Sequence, residues 1–269
     1  MFKPKKSLGQ HFLINASVLP TIIKAAEIKK GETIIEIGPG HGILTRALLD
    51  AGARVFAIEK DYNLSTKLQK KYKNTNKIKI IRQDALFFDT AQLTGYKVVS
   101  NLPFNIASPL IRKFLEASNP PKLMVVMVQK EVAEKITAQP GDSERGILTL
   151  AIEFYAEAKI IVEVSKSNFR PQPKVDASII KIKPYLQPRP WDGVKPVKSG
   201  LFFKIVKAGF SAKRRQIHNS LAGSLGIEKD EVYKILAKSG INPELRAEDL
   251  TFGQWLKLVK EFWYTKSNE

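Results

Sequence analysis

The chain has 269 residues, enough for one full-sized α/β domain and a smaller second one. Lys and Arg number 44 against 26 Asp and Glu, and the formal net charge of +18 at pH 7 favours a polyanionic partner. The absence of cysteine excludes disulfides, thiolate metal sites, iron–sulfur clusters and a cysteine nucleophile, and the three histidines are not spaced as metal ligands, so we expect no bound metal.

The apolar runs and the N-terminal segment bear on location. No apolar run approaches the ~18 residues that span a bilayer, and the longest core-like run is Leu123–Val128. The first residues, Met1–Lys6, are basic but do not lead into the apolar stretch of a secretory signal. We therefore expect a cytoplasmic protein without membrane association.

Short β-branched runs alternate with helix-like stretches between residues 33 and 183, which is typical of βαβ units around a mostly parallel sheet. The predicted strands are Thr33–Ile37, Arg54–Ile58, Ile78–Arg82, Lys97–Ser100, Leu123–Val128, Ile160–Val164 and Ala177–Lys183. The first, fourth and fifth are almost continuously apolar, so we expect them at the centre of a seven-stranded sheet, buried on both faces. Helices are predicted to begin near His41, Asp61, Ser108, Gln129 and Arg145.

Pro and Gly residues are frequent between residues 184 and 200, where periodicity is weak, and this predicts a linker. Beyond it, Gly226 and Gly240 are placed as helix stops and Thr251 as an N-cap. The helices that they delimit are Leu201–Phe210, Arg215–Leu225, Asp230–Lys238 and Phe252–Trp263. The sequence thus predicts an α/β ligand-binding domain over residues 1–187 and a small all-helical domain over residues 197–269.

A glycine-rich turn follows the first predicted strand. The segment Glu36–Gly42 opens a helix, and its glycines, Gly38 among them, permit a tight turn and a close approach of a ligand to the backbone. Glu59 ends the second strand about twenty residues on, where a carboxylate can accept hydrogen bonds from both ribose hydroxyls of a nucleoside. The plain structural alternatives are an ordinary strand-to-helix turn and a solvated Glu at a strand end.

Two further segments bear on the identity of the nucleoside. Asp84 follows the third strand, placed to accept a hydrogen bond from the adenine amine of a cofactor, and Asn101–Phe104 follows the fourth. Open α/β sheets bind ligands at such carboxyl ends of parallel strands. S-adenosylmethionine, which has ribose and adenine but no pyrophosphate, fits this set better than NAD. A nicotinamide-dependent oxidoreductase, which uses the same turn and acidic position, stays open as the alternative.

The tetrapeptide Asn101-Leu102-Pro103-Phe104 suits methyl transfer to the exocyclic amine of adenine. That amine is a poor nucleophile because its lone pair is delocalised into the ring. The side-chain oxygen of Asn101 and the carbonyl of Leu102 could accept its protons and so direct the lone pair toward a methyl donor. Pro103 fixes φ and biases Leu102 to an extended conformation.

Two aromatic side chains could hold a base that is flipped out of its RNA stack. Phe104 offers one ring face, and Phe169, in the proline-containing loop Ser167–Lys174, could cover the other face of the base. The alternatives are a core phenylalanine at 104 and an apolar plug beneath a surface loop at 169.

In this order and spacing the motifs resemble the small-subunit ribosomal RNA adenine dimethyltransferases of the KsgA type, over nearly the whole chain. The motifs that carry the resemblance are Lys6–Leu13, Glu36–Gly40, Glu59, Gln83–Ala85, Asn101–Ile106, Phe169–Asp176 and Lys213–Leu221. The resemblance implies a Rossmann-like class I S-adenosylmethionine methyltransferase fold. It also implies dimethylation at N6 of two adjacent adenosines in the 3′-terminal hairpin loop of 16S rRNA, by a monomer that binds small-subunit rRNA in the immature 30S subunit.

The resemblance also implies roles for individual residues. His11 and Leu13 would touch the methionine end of the cofactor, Gly38 its backbone turn, Glu59 its ribose, Asp84 its adenine, and Asn101 the reacting amine beside it. Two positions depart from the family pattern, since the family often has Asn where His11 stands and Tyr where Phe104 stands. Phe104 keeps the stacking face but lacks a hydroxyl, and His11 could instead be a structural cap of an N-terminal arm.

Two other functions compete with this one. Large-subunit adenine methylases that confer macrolide resistance share the catalytic core, but Lys213–Leu221 resembles the small-subunit branch and, as a basic helix start, suits a phosphate backbone. A solvated helix face is the alternative for this segment. A non-catalytic RNA-binding assembly factor is the second competitor, against which the intact Glu59, Asp84 and Asn101 speak.

Overall fold

The computed structural model describes residues 10–185 and 199–267, with residues 265–267 described by their backbone alone. Within these ranges the chain forms two compact units, one of residues 10–133 and 156–185 and the other of residues 134–155 and 199–267. The predicted linker covers residues 184–200; Pro184 ends a strand and Ser199 begins a helix, while residues 186–198 lie outside the described residues, so the domain boundary stays a prediction. No helix in the described ranges combines the length and the apolar character needed to cross a bilayer.

The first unit is an α/β unit. Its strands are β1 (Phe12–Leu13), β2 (Thr33–Ile37), β3 (Arg54–Glu59), β4 (Ile78–Arg82), β5 (Lys97–Asn101), β6 (Leu123–Gln129), β7 (Ala156–Val164), β8 (Phe169–Arg170) and β9 (Ala177–Pro184). Its helices are α1 (Leu19–Ala26), α2 (Ile43–Asp50), α3 (Tyr62–Lys71) and α4 (Ala107–Leu115), and α5 (Lys130–Thr137) crosses into the second unit.

One sheet of seven strands has the order β4-β3-β2-β5-β6-β9-β7. Neighbours from β4 to β6 are parallel, whereas β9 runs antiparallel to both β6 and β7. All the predicted strands are present, and β2, β5 and β6 are the middle three, almost entirely buried. The prediction of a mostly parallel sheet with these central strands is therefore confirmed. Because β2, β3, β4 and β5 are parallel, the segments that follow them meet at one edge of the sheet.

Sequence patterns did not predict helix α1, which packs its buried Ile22 and Ala26 into the core of this unit. The C-terminus of α1 is capped by a lysine from strand β5. Lys97, 7% exposed, donates from Nζ to the carbonyls of Ala26 (3.0 Å) and Glu27 (2.7 Å) and pairs with Glu32 at 2.8 Å. A cation at this position satisfies the last carbonyls of the helix and its dipole.

The second unit is helical. It contains α6 (Ile147–Tyr155), α7 (Ser199–Gly209), α8 (Ile217–Leu225), α9 (Lys229–Lys238) and α10 (Phe252–Ser267). The helices predicted beyond the linker are confirmed. Gly226 ends α8 with φ +67°, a conformation that glycine adopts without strain, and Thr251 accepts a hydrogen bond from the Gln254 amide (3.2 Å) at the start of α10.

A buried arginine organises the second unit. The guanidinium of Arg145, which is 1% exposed, donates two hydrogen bonds to the Glu153 carboxylate, at 2.9 and 2.8 Å. It also donates to the carbonyls of Ala138 (3.1 Å) and Leu250 (3.3 Å). Because Leu250 lies two residues before the start of α10, these bonds join the segment 134–155 to the C-terminal part of the same unit.

Candidate active site

A single cavity at the carboxyl edge of strands β2, β3, β4 and β5 brings most of the predicted site residues together. The predicted residues on its wall are His11, Leu13, Gly38, Glu59, Asp84, Asn101, Leu102, Pro103 and Phe104. Phe169 is not among the wall residues. Lys60, Glu36 and Phe12 also line the cavity, and patterns in the sequence gave no role to these three.

The floor of the cavity is the glycine-rich turn after β2. Gly38 and Gly40 have φ of +64° and +57°, in the left-handed region that strains other residues. A Cβ at Gly40 would lie 2.7 Å from Cδ1 of Phe12, and one at Gly38 would lie 3.3 Å from Cγ of Pro103. A side chain at Gly40 would therefore clash with the N-terminal arm. One at Gly38 would crowd Pro103 and would also be strained by the positive φ.

The N-terminal arm, residues 10–13, forms one wall. Strand β1 pairs antiparallel with β8, with Phe12 opposite Arg170 and Leu13 opposite Phe169. Nδ1 of His11 donates to the carbonyl of Pro171 at 2.7 Å. This pairing holds His11 and Leu13 at the cavity. Their contact with the methionine end of the cofactor, which the family resemblance implied, stays a prediction. The motif residues Lys6–Gly9 of the same arm lie outside the described residues.

Two carboxylates lie at the carboxyl ends of β3 and β4, in contrasting environments. Glu59, 5% exposed, accepts from the amides of Gly40 (3.3 Å) and Asp61 (2.8 Å), and burial raises its pKa. Asp84 accepts from the Leu86 amide at 3.0 Å and pairs with Lys60 at 2.8 Å; the hydrogen bond from Lys60 lowers its pKa. Glu59 is thus oriented by backbone amides of the turn, whereas Asp84 is oriented by a neighbouring cation.

Glu36 is the functional candidate that sequence reasoning left without a role. It lies within the buried strand β2, is 1% exposed, and burial raises its pKa to about 8. Its Oε2 has no hydrogen-bond partner among residues 10–185 and 199–267. The signal in the sequence was an acidic residue inside an otherwise apolar strand.

Asn101 is the last residue of β5, and the two polar atoms of its carboxamide have different surroundings. Nδ2 donates to the carbonyl of His11 at 3.2 Å, which orients the group. Oδ1 is buried, and within the described part of the chain no group donates to it. Buried acceptors are nearly always paired in folded proteins, so this oxygen on a cavity wall indicates a place for a ligand donor.

The aromatic side chains stack from the arm across to the loop before β9. Phe104 is half-buried, and its ring centroid lies 5.5 Å from that of His11 at an interplanar angle of 29°. Its centroid lies 6.1 Å from that of Phe169 in an edge-to-face arrangement. Phe169 is 2% exposed and belongs to the core of the unit. Because Phe169 is buried, its stacking on a base stays a prediction.

Known proteins resemble this chain over almost its full length. The sequence model of a family described as ribosomal RNA adenine dimethylase matches residues 1–263. A protein of Dehalococcoides mccartyi named ribosomal RNA small subunit methyltransferase A is 42% identical over 264 residues, covering 97% of this chain and 89% of the relative. A Clostridium botulinum protein of the same name is 41% identical and covers 96% of this chain and 93% of the relative.

Solved structures agree on the fold. A dimethyladenosine transferase from Plasmodium falciparum has a TM-score of 0.80 at 27% identity, covering 95% of this chain and 98% of that one. The 23S rRNA methyltransferase ErmE has a TM-score of 0.71 at 24% identity, covering 93% and 98%, a likeness of fold alone. The Rossmann-like methyltransferase fold is thereby confirmed. With a family match across both units and relatives at this identity over almost the full length, the chain belongs to the ribosomal RNA adenine dimethylase family.

Proposed function

We propose that this chain dimethylates N6 of two adjacent adenosines in the 3′-terminal hairpin loop of 16S rRNA, with S-adenosylmethionine as the methyl donor. The observation that carries the proposal is the buried Oδ1 of Asn101, to which no group in residues 10–185 and 199–267 donates. It lies on the wall of a cavity that the half-buried Phe104 also lines. An acceptor next to an aromatic face is what an extruded adenine needs, since the amine requires an acceptor and the base requires a stacking partner.

The residues of the cavity fit the cofactor. Its sulfonium supplies an electrophilic methyl group when it is bound. The carboxylates of Glu59 and Asp84 suit the two ribose hydroxyls and the adenine amine, and the left-handed turn at Gly38 and Gly40 gives a ligand access to backbone. We assign His11 and Leu13 to the methionine end.

The residues of this chain act on the amine by position and charge. The carboxamide of Asn101 is fixed by its bond to the His11 carbonyl, so its oxygen meets an amine proton without rotating first. We assign the second acceptor to the carbonyl of Leu102, whose amide is held by the Met127 carbonyl at 3.1 Å. As the amine becomes tetrahedral its protons grow more acidic, and both hydrogen bonds strengthen in the transition state.

The choice of small-subunit RNA rests on the relatives and on the basic segment Lys213–Arg215. Proteins about 40% identical are named for the small subunit, whereas ErmE, named for 23S rRNA, shares 24% of its residues with the chain. Lys213, Arg214 and Arg215 are exposed just before α8, where phosphate groups can reach them. We propose that the protein binds the immature 30S subunit as a monomer.

The decisive experiment follows labelled methyl from S-adenosylmethionine into RNA of immature small subunits and of large subunits, with the product nucleoside identified. We expect N6,N6-dimethyladenosine in small-subunit RNA and a much lower yield from the Asn101→Ala variant. Label confined to large-subunit RNA would show that the substrate is wrong. Absence of label in either RNA, with NADH bound instead, would favour an oxidoreductase.

A further inference from the structure

The loop after strand β4 presents an aromatic ring to solvent from a well-anchored backbone. Phe87 is 77% exposed, more than any other large apolar side chain in the described residues. Its amide donates to the Asp84 carbonyl (3.0 Å), its carbonyl accepts from Nε2 of Gln83 (3.0 Å), and Lys113 of α4 donates to the Phe88 carbonyl. The ring is therefore held in water by a hydrogen-bonded loop. A single exposed ring is common on protein surfaces, so its neighbours decide whether it belongs to a binding surface.

A cation and a second aromatic ring lie at the carboxyl ends of β4 and β3, and the loop that carries Phe87 begins after the same end of β4. Arg82, the last residue of β4, places its guanidinium 5.2 Å from the ring centroid of Tyr62, which is 60% exposed. Arg82 is also opposite Glu59 in the parallel register of β3 and β4. We call Tyr62, Arg82 and Phe87 the rim surface.

The rim surface adjoins the cofactor end of the cavity. Asp84 and Ala85, which lie between Arg82 and Phe87 in the chain, line the cavity, as does Glu59. An RNA strand that delivers one base to Asn101 therefore has neighbouring nucleotides within reach of this edge of the sheet. An exposed ring that follows a guanidinium in the same strand-to-loop segment matches the chemistry of such nucleotides, since bases stack on aromatic faces and phosphates pair with Arg.

We propose that the rim surface binds a nucleotide that flanks the target adenosine, with its base stacked on Phe87 and its phosphate beside Arg82. The inference rests on the proposed function, and it specifies the form of the substrate. Only an unpaired nucleotide can offer a free base face to Phe87, so the RNA must be single-stranded on the side that meets β4.

The test uses the fluorescence of 2-aminopurine, which stacking quenches. Hairpin RNAs carry 2-aminopurine at single positions on either side of the target adenosine, and each is titrated with the full-length protein. We expect quenching at one flanking position with the wild type and with Phe87→Tyr, but not with Phe87→Ala or Phe87→Leu. Val162→Ala, which trims another exposed apolar side chain on the opposite edge strand β7, is the matched control and should behave as wild type.

Affinities complete the test. Phe87→Ala should weaken RNA binding at least about fivefold, the lower range for loss of one stacked base, without changing the dissociation constant of S-adenosylmethionine. Arg82→Gln should reduce the slope of log affinity against log salt by about 0.7, the value for one phosphate of a single strand.

Several outcomes would overturn the proposal. The first is equal quenching in Phe87→Ala and the wild type. The second is weakened cofactor binding in Phe87→Ala, which would place the ring over the cofactor. The third is unchanged RNA affinity in both Phe87→Ala and Arg82→Gln, which would favour a protein partner for the rim surface. Quenching does not require methyl transfer. A rim-dependent signal without any transfer would therefore refute the proposed function and not the RNA surface.

Discussion

Glu59 is oriented by two backbone amides at the end of β3, and its carboxylate is the group that we assign to the cofactor ribose. Replacing Glu59 with Ala should weaken S-adenosylmethionine binding about tenfold or more, because the ribose hydroxyls lose charge-assisted partners worth ~1.5–3 kcal/mol each. Calorimetry measures this directly. Asp50→Ala, which removes an exposed carboxylate of α2, is the control and should bind as wild type. An unchanged dissociation constant of S-adenosylmethionine for Glu59→Ala would show that Glu59 does not bind the cofactor.

Asn101 and Phe104 divide the work of aligning the amine and holding the base. Asn101→Ala should lower the rate of methyl transfer at saturating RNA, on the order of 10²-fold, because its hydrogen bond acts mainly in the transition state. Phe104→Ala should instead weaken capture of the flipped base, while Phe104→Tyr keeps the ring and stays near wild type. Single-turnover kinetics separates these effects. Full activity in Asn101→Ala would refute the proposed mechanism.

Glu36 makes the free energy of unfolding depend on pH. Burial raises its pKa to about 8 in the folded chain, against about 4.3 for an unfolded Glu, so the folded state holds a proton that the unfolded state releases. The stabilisation of the folded state by neutral Glu36 is fully present below the unfolded pKa. As pH rises between the two pKa values it is lost, by up to about 1.4 kcal/mol per pH unit. Glu36→Gln removes the titration. Urea unfolding from pH 5 to 8 should show that the free energy of unfolding of the wild type falls relative to that of Glu36→Gln. If the two free energies change with pH in parallel, the raised pKa is not that of Glu36.

At the scale of elements, the segment before α8 is the predicted contact to the RNA backbone. Replacing Lys213, Arg214 and Arg215 together with Ala should lower RNA affinity and reduce its salt slope by up to about 0.9 per lost duplex phosphate contact. Cofactor affinity should stay constant. The control replaces three exposed lysines of α9, Lys229, Lys234 and Lys238, and so changes the net charge equally. If the salt slope of RNA affinity falls equally in both triple variants, the effect comes from the overall charge and not from the segment before α8.

The elements that could be predicted are those whose pattern is local. Buried parallel strands appear as apolar runs, and Glu59, Asp84 and Asn101 stand where such runs end, so their meeting at one edge follows from the sheet. Strand β1 has two residues, and its partner Phe169–Arg170 is remote in the chain, so no local periodicity marks either strand. His11 and Leu13 were therefore reached through family resemblance alone. The burial of Phe169 is likewise a product of that remote pairing.

At the scale of the whole molecule, Arg145 supports the helical unit. Arg145→Met should lower the free energy of unfolding of this unit by about 3–5 kcal/mol, because it leaves the Glu153 carboxylate and two carbonyls without their donor. Thermal unfolding followed by calorimetry would record the loss. Arg46→Met, which breaks an exposed pair with Asp50, serves as the control and should cost less than about 1 kcal/mol. Equal effects of the two substitutions would contradict the assigned role.

The helical unit is not simply a C-terminal appendage, because residues 134–155 belong to it although they lie between strands β6 and β7 of the sheet. Leu150 and Ala151 of that segment share a hydrophobic core with Phe202 and Trp255. A chimaera that exchanges only the residues after 198 between relatives would join two halves of a core that had evolved apart. Grafting the helical unit for a new RNA specificity therefore requires transplanting both segments together, with Arg145 and its acceptors from the same parent.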